Sequence, residues 1–214
     1  GVARAIVANA GNANACAPMG HENAVKMCNV TAETLGIEPM DVVVASTGVI
    51  GQMLNIDAIE KGIPVAAASL SKGGSTDAAA AIMTTDTEQK ELAVQIQIAG
   101  KLVTLGRIAK GSGMIHPNMG TMLCFITTDA AITSELLQEA LSEITARTFN
   151  RVSVDGDTST NDMCIVLANG MAENPLIEWK DDHYKAFYAA LHHLCQYFAR
   201  AIASDGEGAT RLIT

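Results

Sequence analysis

The sequence is poor in positive charge, in aromatic side chains and in long apolar runs. Its 214 residues include 14 lysines and arginines against 23 acidic residues, a net charge of -9, and no basic cluster offers a surface for nucleic acid or anionic lipid. No uninterrupted apolar run is long enough to span a bilayer. Because 49% of the residues are hydrophobic, the chain can still bury a core. These features predict a globular protein that acts on small molecules, with no nucleic-acid or membrane partner.

Disulfide and metal chemistry are also poorly represented. Residues 155–162, DGDTSTND, are as acidic as a calcium loop, but Val166 stands where a bidentate Glu is needed. The adjacent His192 and His193 point to different faces of a helix, so no metal site is expected. The odd number of cysteines and the lack of a C-x-x-C pair predict reduced, mostly buried thiols in a cytosolic type of compartment. The cysteines are Cys16, Cys28, Cys124, Cys164 and Cys195.

The first part of the chain has the pattern of a βαβ-like unit. Residues 4–8 and 41–46 are rich in β-branched side chains, which is typical of buried strands. Between them, apolar residues recur at helical spacing, and Gly36 is placed to end the helix. The predicted buried face of this helix consists of Val25, Cys28, Ala32 and Leu35.

A hairpin is predicted next. Residues 92–98 alternate between apolar and polar side chains, and a short turn at 99–101 precedes a second run that leads to Lys110. A further strand, residues 122–128, follows this segment.

The last part of the chain predicts two helices and another strand. One helix begins at Thr133, the run MCIVLANG at 163–170 resembles a buried strand, and a long amphipathic helix ends at Asp205. Mixed segments of this kind indicate an α/β chain built as an α+β layered sandwich. The apolar faces of the two helices are Leu137, Leu141 and Ile144, and Phe187, Leu191, Leu194, Phe198 and Ile202.

The segment ASTGVIG, residues 45–51, has a hydroxyl and a flexible amide at the end of a predicted strand. Thr47 and Gly48 could direct two hydrogen-bond donors at a developing oxyanion. A plain Thr-Gly turn explains the same residues, and on the local sequence alone it is the favoured interpretation.

Gly120 and Thr121 stand between a glycine-rich segment and an apolar strand. Threonine is a poor nucleophile without a base, and no His or Asp has a spacing that identifies it as the partner. An N-terminal threonine provides its own base, because its α-amine has an ordinary pKa near 8. Thr121 would therefore become a nucleophile if the chain were cut before it, whereas the simpler alternative is a strand start with a hydroxyl hydrogen bond.

Six strings in order give the sequence a close resemblance to a known family. It resembles the ornithine acetyltransferase family of arginine biosynthesis, also called the bifunctional glutamate N-acetyltransferase family. The resemblance covers essentially the whole chain. The strings are NAGNANAC (9–16), STGVIG (46–51), AIMTTDT (81–87), AKGSGMIHPNMGTML (109–123), SVDGDTSTND (153–162) and SDGEGATRLI (204–213).

The resemblance implies a self-processing enzyme with an N-terminal-threonine acyltransferase fold. A cut between Gly120 and Thr121 would give an α-subunit part, residues 1–120, and a β-subunit part, residues 121–214, assembled as an α2β2 heterotetramer. The family has further segments before and after the matching region, so residues 1–214 are expected to form one incomplete catalytic domain.

The resemblance also assigns roles to individual residues. Thr121 would accept the acetyl group of N-acetylornithine and pass it to glutamate, with Thr47 and Gly48 as the oxyanion-stabilising pair. Thr84, Lys110 and Glu207 match substrate-binding positions. In physical terms, Glu207 suits an ammonium group and Lys110 suits a carboxylate.

The setting implied by the resemblance is a cytoplasmic enzyme, or a mitochondrial-matrix enzyme in a eukaryote, without a cofactor. Acetyl-CoA as a co-substrate distinguishes bifunctional from monofunctional members, and the residues leave this open. Two other functions also remain open: a self-processing amidase or aminopeptidase of related fold, and an inactive truncated fragment.

Overall fold

The computed structural model describes residues 1–116 and 122–214. The chain divides into two compact units, residues 1–84 and 85–214, and each has strands and helices of its own.

The first unit contains two parallel strands joined through a helix. Strands β1 (Ala5–Asn12) and β2 (Val42–Val49) are direct partners, and α1 (Gly20–Leu35) connects them. Gly36 ends α1 in the left-handed conformation, with a φ of 65°, and its N–H donates to the carbonyl of Ala32. The predicted βαβ-like unit is confirmed. The unit also has a short 3-10 turn (Pro39–Asp41) and two helices, α2 (Ile56–Ala68) and α3 (Ser75–Ala81).

The predicted buried face of α1 is wrong at two of its four residues, and Cys28 is half-buried. Val25 and Leu35 are 45% and 36% exposed, whereas Ala32 is buried as predicted. The buried face includes Asn23 and Met27. Positions 23 and 25 lie roughly 200° apart around the helix. The predicted face was chosen from apolar residues alone, and the buried face is therefore centred to one side of it.

The second unit is built on a four-stranded sheet with the strand order β3-β4-β5-β6. The β3–β4 and β4–β5 pairs are antiparallel, and the β5–β6 pair is parallel. The strands are β3 (Lys90–Ile98), β4 (Lys101–Lys110), β5 (Leu123–Thr128) and β6 (Met163–Ala168). All four strands were predicted from the sequence.

A two-residue turn fixes the register of the β3–β4 hairpin. Ala99 and Gly100 have φ values of 49° and 79°, the sign that a type I′ turn requires at both positions. Ile98 and Lys101 are consequently direct partners, and alternate residues of β4 point into the core.

Helices α4 (Ser134–Arg147) and α5 (Asp182–Ser204) share one hydrophobic core with the sheet of the second unit. A 3-10 turn (Phe149–Arg151) follows α4. A sheet covered by helices confirms the predicted mixed α/β class with α+β layering. The predicted apolar faces are confirmed as well, since these residues are all buried: Leu137, Leu141, Ile144, Phe187, Leu191, Leu194, Phe198 and Ile202.

A cationic side chain is enclosed in this core. Arg107 of β4 is 3% exposed, and its guanidinium carbon lies 4.6 Å from the ring centre of Phe149 and 4.1 Å from that of Phe198. It donates a hydrogen bond of 3.3 Å to the carbonyl of Leu194. Cation–π contacts and this bond therefore replace part of the hydration that Arg107 loses.

The five cysteines are free thiols, but they are not uniformly buried. Cys124 and Cys195 are buried, and burial raises the pKa of Cys195 to about 12. Cys16 is exposed, which corrects the prediction for this residue, because it lies in an irregular segment after β1.

Within residues 1–116 and 122–214, no helix is both long enough and apolar enough to cross a membrane.

We predict that Phe187→Ala lowers the free energy of unfolding by about 3–5 kcal/mol, because it leaves a cavity in the core between α5 and the sheet. Phe187 is 0% exposed, whereas Tyr197 on the same helix is 48% exposed. Tyr197→Ala is the control and should cost much less. Chemical denaturation of the 214-residue chain measures both, and equal losses would contradict the prediction.

Candidate active site

In the first unit, Thr47 and Gly48 lie near the carboxyl end of β2. Thr47 is 1% exposed, and Gly48 is the direct partner of Gly11 on β1. Gly48 has a φ of +124°, and a Cβ placed on it would lie 2.3 Å from the carbonyl carbon and oxygen of Gly11. Position 48 therefore requires glycine for two reasons, backbone conformation and the close approach of β1.

The sequence predicted a turn after residue 46, but β2 continues through Val49. The strand is longer because β1 continues beside it. The hydroxyl of Ser46 donates to Oδ1 of Asn9 at 2.6 Å, and the amide of Ala13 donates to the carbonyl of Val49 at 2.9 Å. Thr47 and Gly48 are thus held by a strand pair, which is more rigid than an isolated turn.

Thr84 is exposed and lies in a bend after α3, as the last residue of the first unit.

In the second unit, Lys110 is the last residue of β4 and is 2% exposed. Burial lowers the pKa of its ammonium group below the ordinary value. The carboxylates of Asp86, Asp162 and Glu207 act in the opposite direction, whereas the charge of Lys90 adds to the lowering. Lys110 is therefore a buried cation in the electrostatic field of three carboxylates.

A second buried cation, Lys90, lies between two carboxylates. Its Nζ is 2.9 Å from Oδ1 of Asp86 and 2.5 Å from Oδ2 of Asp205, and these three side chains are 2%, 0% and 6% exposed. Asp86 Oδ1 also accepts a hydrogen bond of 2.6 Å from the amide of Gly111. The cluster formed by Lys90, Asp86 and Asp205 consequently holds the backbone of the residue that follows Lys110.

Asp205 is also bound by Thr87, which lies between Asp86 and Lys90 in the chain. The backbone amide and the hydroxyl of Thr87 both donate to its carboxylate. Burial would raise the pKa of Asp205, but the hydrogen bonds from Lys90 and Thr87 lower it overall. The end of α5 is thereby attached to the start of β3.

Glu207 lies two residues beyond Asp205, against the segment that follows β4. Its amide donates to the carbonyl of Ser112 at 2.8 Å, and its carboxyl group faces Gly113. Ser112 is 1% exposed and shares a hydrogen bond of 2.8 Å with the hydroxyl of Thr85. Lys110 and Glu207 are thus brought into one neighbourhood of the second unit, as a cation and an anion.

Two aspartates anchor the described residues on either side of residues 117–121. The carboxylate of Asp155 accepts hydrogen bonds from the amides of Met114 and Ile115, and that of Asp162 accepts one of 3.0 Å from the amide of Met122. The predicted tight turn at 155–162 therefore serves as an anchor for the chain before and after this segment.

These aspartates have pKa shifts in opposite directions. For Asp155, burial acts upwards, but the backbone amides of Asp157, Met114 and Ile115 lower the pKa overall. For Asp162, burial raises the pKa, and the hydrogen bond from Met122 only partly opposes it.

Gly120 and Thr121, the predicted cleavage site and nucleophile, lie outside the described residues. The division into residues 1–120 and 121–214 accordingly stays a prediction.

Three acidic residues of the site were not singled out from the sequence. Asp86, Asp162 and Asp205 lie within or beside the strings AIMTTDT, DGDTSTND and SDGEG, so the family pattern was the available signal. Lys90 lies outside those strings, and only its contacts reveal its role. Among the described residues, no group of three or more His, Cys, Asp or Glu side chains could hold a metal ion.

The chain belongs to the ArgJ family, because the sequence model of that family matches residues 1–214. It is 56% identical over 214 residues to the arginine biosynthesis bifunctional protein ArgJ of Symbiobacterium thermophilum. The aligned region covers 100% of this chain and 53% of that protein. It is 54% identical, with the same coverage, to the ArgJ protein of Caldanaerobacter subterraneus subsp. tengcongensis. The chain therefore spans about half the length of these curated relatives.

A solved structure is also similar to the chain. The crystal structure of arginine biosynthesis bifunctional protein ArgJ from Bacillus halodurans is 43% identical, with a TM-score of 0.49. The similarity covers 55% of this chain and 61% of that one.

We predict that Lys90→Met lowers the free energy of unfolding by about 3–5 kcal/mol, because it leaves the carboxylates of Asp86 and Asp205 buried without their cation. Lys185→Met on the exposed face of α5 is the control, since its ion pair with Asp182 is in solvent. Urea titration at neutral pH compares the variants. An undiminished stability of Lys90→Met would show that the buried ion pairs contribute little.

The lowered pKa of Asp205 predicts a pH-dependent contribution to stability. A carboxyl group with a depressed folded-state pKa stabilises the fold above its ordinary pKa of 3.8, and this contribution is lost as the pH falls through the folded-state value. Asp205→Asn should therefore cost about 2 kcal/mol at pH 7, and the difference from the unsubstituted chain should shrink below about pH 4.

The exposed Asp157 provides the matched control, because Asp157→Asn removes a carboxylate from the surface. Denaturation measured from pH 7 down to pH 3 gives both differences. A cost for Asp205→Asn that stays constant over this range would contradict the assigned direction of the pKa shift.

Proposed function

We propose that the chain carries the transfer machinery of an acetyltransferase in arginine biosynthesis, which moves an acetyl group from N-acetylornithine to glutamate. The proposal is supported by the family match over residues 1–214, and the observation that carries it is the opposed charges of Lys110 and Glu207. Both substrates carry a carboxylate that suits Lys110, and the free side-chain ammonium group of N-acetylornithine suits Glu207.

The nucleophile arises by cleavage of the chain's own backbone. The hydroxyl of Thr121 attacks the carbonyl carbon of Gly120, the peptide nitrogen leaves, and the acyl group passes from nitrogen to oxygen as an ester. Water then opens the ester. This step releases the carboxylate of Gly120 and leaves Thr121 with a free hydroxyl and a free α-amine, which is the base that its hydroxyl lacked.

The transfer itself proceeds in two halves. The α-amine of Thr121 takes the proton of its hydroxyl, whose oxygen attacks the acetyl carbonyl of N-acetylornithine, and ornithine leaves with the proton on its amine. The amine of glutamate then attacks the acetyl ester. N-acetylglutamate is formed, and the hydroxyl of Thr121 is restored.

Thr47 and Gly48 stabilise the oxyanion in both halves of the cycle, through the hydroxyl of one residue and the amide of the other. Fixed donors are effective because they need no reorganisation as charge develops, and the loss of one typically costs about 2–4 kcal/mol in the barrier. The paired strands β1 and β2 provide that rigidity. Thr84 completes the set of substrate-binding residues.

The proposed reaction requires no cofactor. Acetyl-CoA would be a second acetyl donor in a bifunctional enzyme, and the cleaved chains would assemble as an α2β2 heterotetramer. The enzyme would work in the cytoplasm, or in the mitochondrial matrix of a eukaryote.

We predict that Thr121→Ala abolishes both self-cleavage and acetyl transfer, because one hydroxyl performs both reactions. The measurement uses the complete natural polypeptide. Intact mass and N-terminal sequencing detect a chain that begins at Thr121, and N-acetylglutamate formation reports transfer. Cleavage that persists in Thr121→Ala would overturn the mechanism.

Thr47→Ala is the informative comparison, because it should slow both reactions about a hundredfold without unfolding the protein. Free acetate is measured beside N-acetylglutamate in the same assays. If acetate is released from N-acetylornithine and glutamate is never acetylated, the protein is an amidase and the proposed transfer is wrong.

A further inference from the structure

Gly113 lies directly under the carboxyl group of Glu207. A Cβ placed on Gly113 would be 2.5 Å from both Cδ and Oε1 of Glu207 and 2.8 Å from Oε2. Carbon atoms in contact are normally about 3.5–4.0 Å apart, so a side chain at position 113 and the carboxylate cannot occupy this space together.

The conformation of the backbone does not explain why position 113 is glycine. Gly113 is absent from the residues with positive φ, in contrast to Gly111 before it. The three atoms nearest to the Cβ of an alanine at position 113 would all belong to the carboxyl group of Glu207, which is the far end of a flexible side chain.

Both sides of this contact are fixed by hydrogen bonds. The amide of Glu207 donates to the carbonyl of Ser112 at 2.8 Å, and the hydroxyl of Ser112 shares a bond of 2.8 Å with that of Thr85. The amide of Gly111 donates to the buried carboxylate of Asp86 at 2.6 Å. The backbone that leads into Gly113, beneath the Glu207 carboxylate, is consequently held in place.

We propose that Gly113 is a positioning residue whose missing side chain provides the seat of the Glu207 carboxylate, and that this seat selects an amino-acid ligand with a free side-chain ammonium group. The proposal rests on the proposed function, in which Glu207 binds that ammonium group and Lys110 binds the carboxylate of the same ligand.

The physical consequence concerns the separation of two charges. The Glu207 carboxylate acts on the ammonium group of Lys110, so the seat determines where the negative and positive ends of the site stand relative to each other. A methyl group at position 113 would turn the carboxylate away from its seat. Because only the end of a side chain has to move, the effect on folding should be small. The effect on the binding of glutamate, which has no side-chain ammonium group, should also be small.

The ligand that should bind more weakly is N-acetylornithine, whose one cation is its side-chain ammonium group. Gly113→Ala should raise the dissociation constant of N-acetylornithine about tenfold, as expected for the loss of one hydrogen bond between charged groups, and change that of glutamate less than twofold. Calorimetry on the complete natural polypeptide measures both constants. A general structural defect would weaken both ligands alike.

Gly106→Ala is the matched control. Gly106 lies on β4, and a Cβ there would meet its nearest neighbour, Oγ1 of Thr127, at an ordinary 3.8 Å. This variant should bind both ligands as the unsubstituted protein does. If it weakens N-acetylornithine as much as Gly113→Ala does, the seat is not specific and the proposal is wrong.

The double variant Gly113→Ala with Glu207→Ala tests the cause. Once the carboxylate is gone, Gly113→Ala should have no further effect on binding, and it should fold even if the single variant does not. A further loss of binding in this background, or a failure to restore folding, would overturn the proposal.

Failure of the proposed function gives a different result. If Glu207→Ala alone leaves the binding of N-acetylornithine unchanged, or the unsubstituted protein binds neither ligand, then the assigned role of Glu207 is wrong. If Glu207→Ala weakens binding and Gly113→Ala does not, only the seat is wrong.

Discussion

The buried ammonium group of Lys90 is the interaction on which the arrangement of the second unit depends. It pairs with Asp86 before β3 and with Asp205 after α5, so one cation joins two parts of the chain that are far apart in sequence. Buried charges are tolerated when they are paired, and removing one partner is more costly than never having had the pair. Asp86 also accepts a hydrogen bond from the amide of Gly111, the residue that follows Lys110, so the same ion pairs help to position the end of β4.

The electrostatics of the candidate site follow from this arrangement. Lys110 loses its hydration at the end of β4 and is compensated by carboxylates contributed from three other segments of the second unit. Such a site is strongly polar and holds cations and carboxylates side by side, so it offers a partner to each charged end of a zwitterion. The net negative charge of the whole chain is therefore a poor guide to the charge of the ligand. The positions of the individual charges in the site are a better one.

The sequence predicted the elements whose patterns are unambiguous. Five apolar residues at steps of three and four identified α5, and alternation around Ala99 and Gly100 identified the hairpin. Helices α2 and α3 were missed, because α2 contains Pro64, which argues against a helix interior, and α3 is short and mostly alanine. Lys110 and Glu207 came from resemblance to a family, but the contacts of Lys90 are tertiary and have no periodicity to reveal them.

The order of the strands determines what a break in the chain can do. Strand β4 precedes residues 117–121 and β5 follows them, yet the two are hydrogen-bonded neighbours in one sheet, with Lys110 opposite Leu123. A cut in that interval would break the backbone between β4 and β5, while the hydrogen bonds between the two strands would still hold the fragments together. The two fragments would migrate as one particle under native conditions, and only a denaturing gel would separate them.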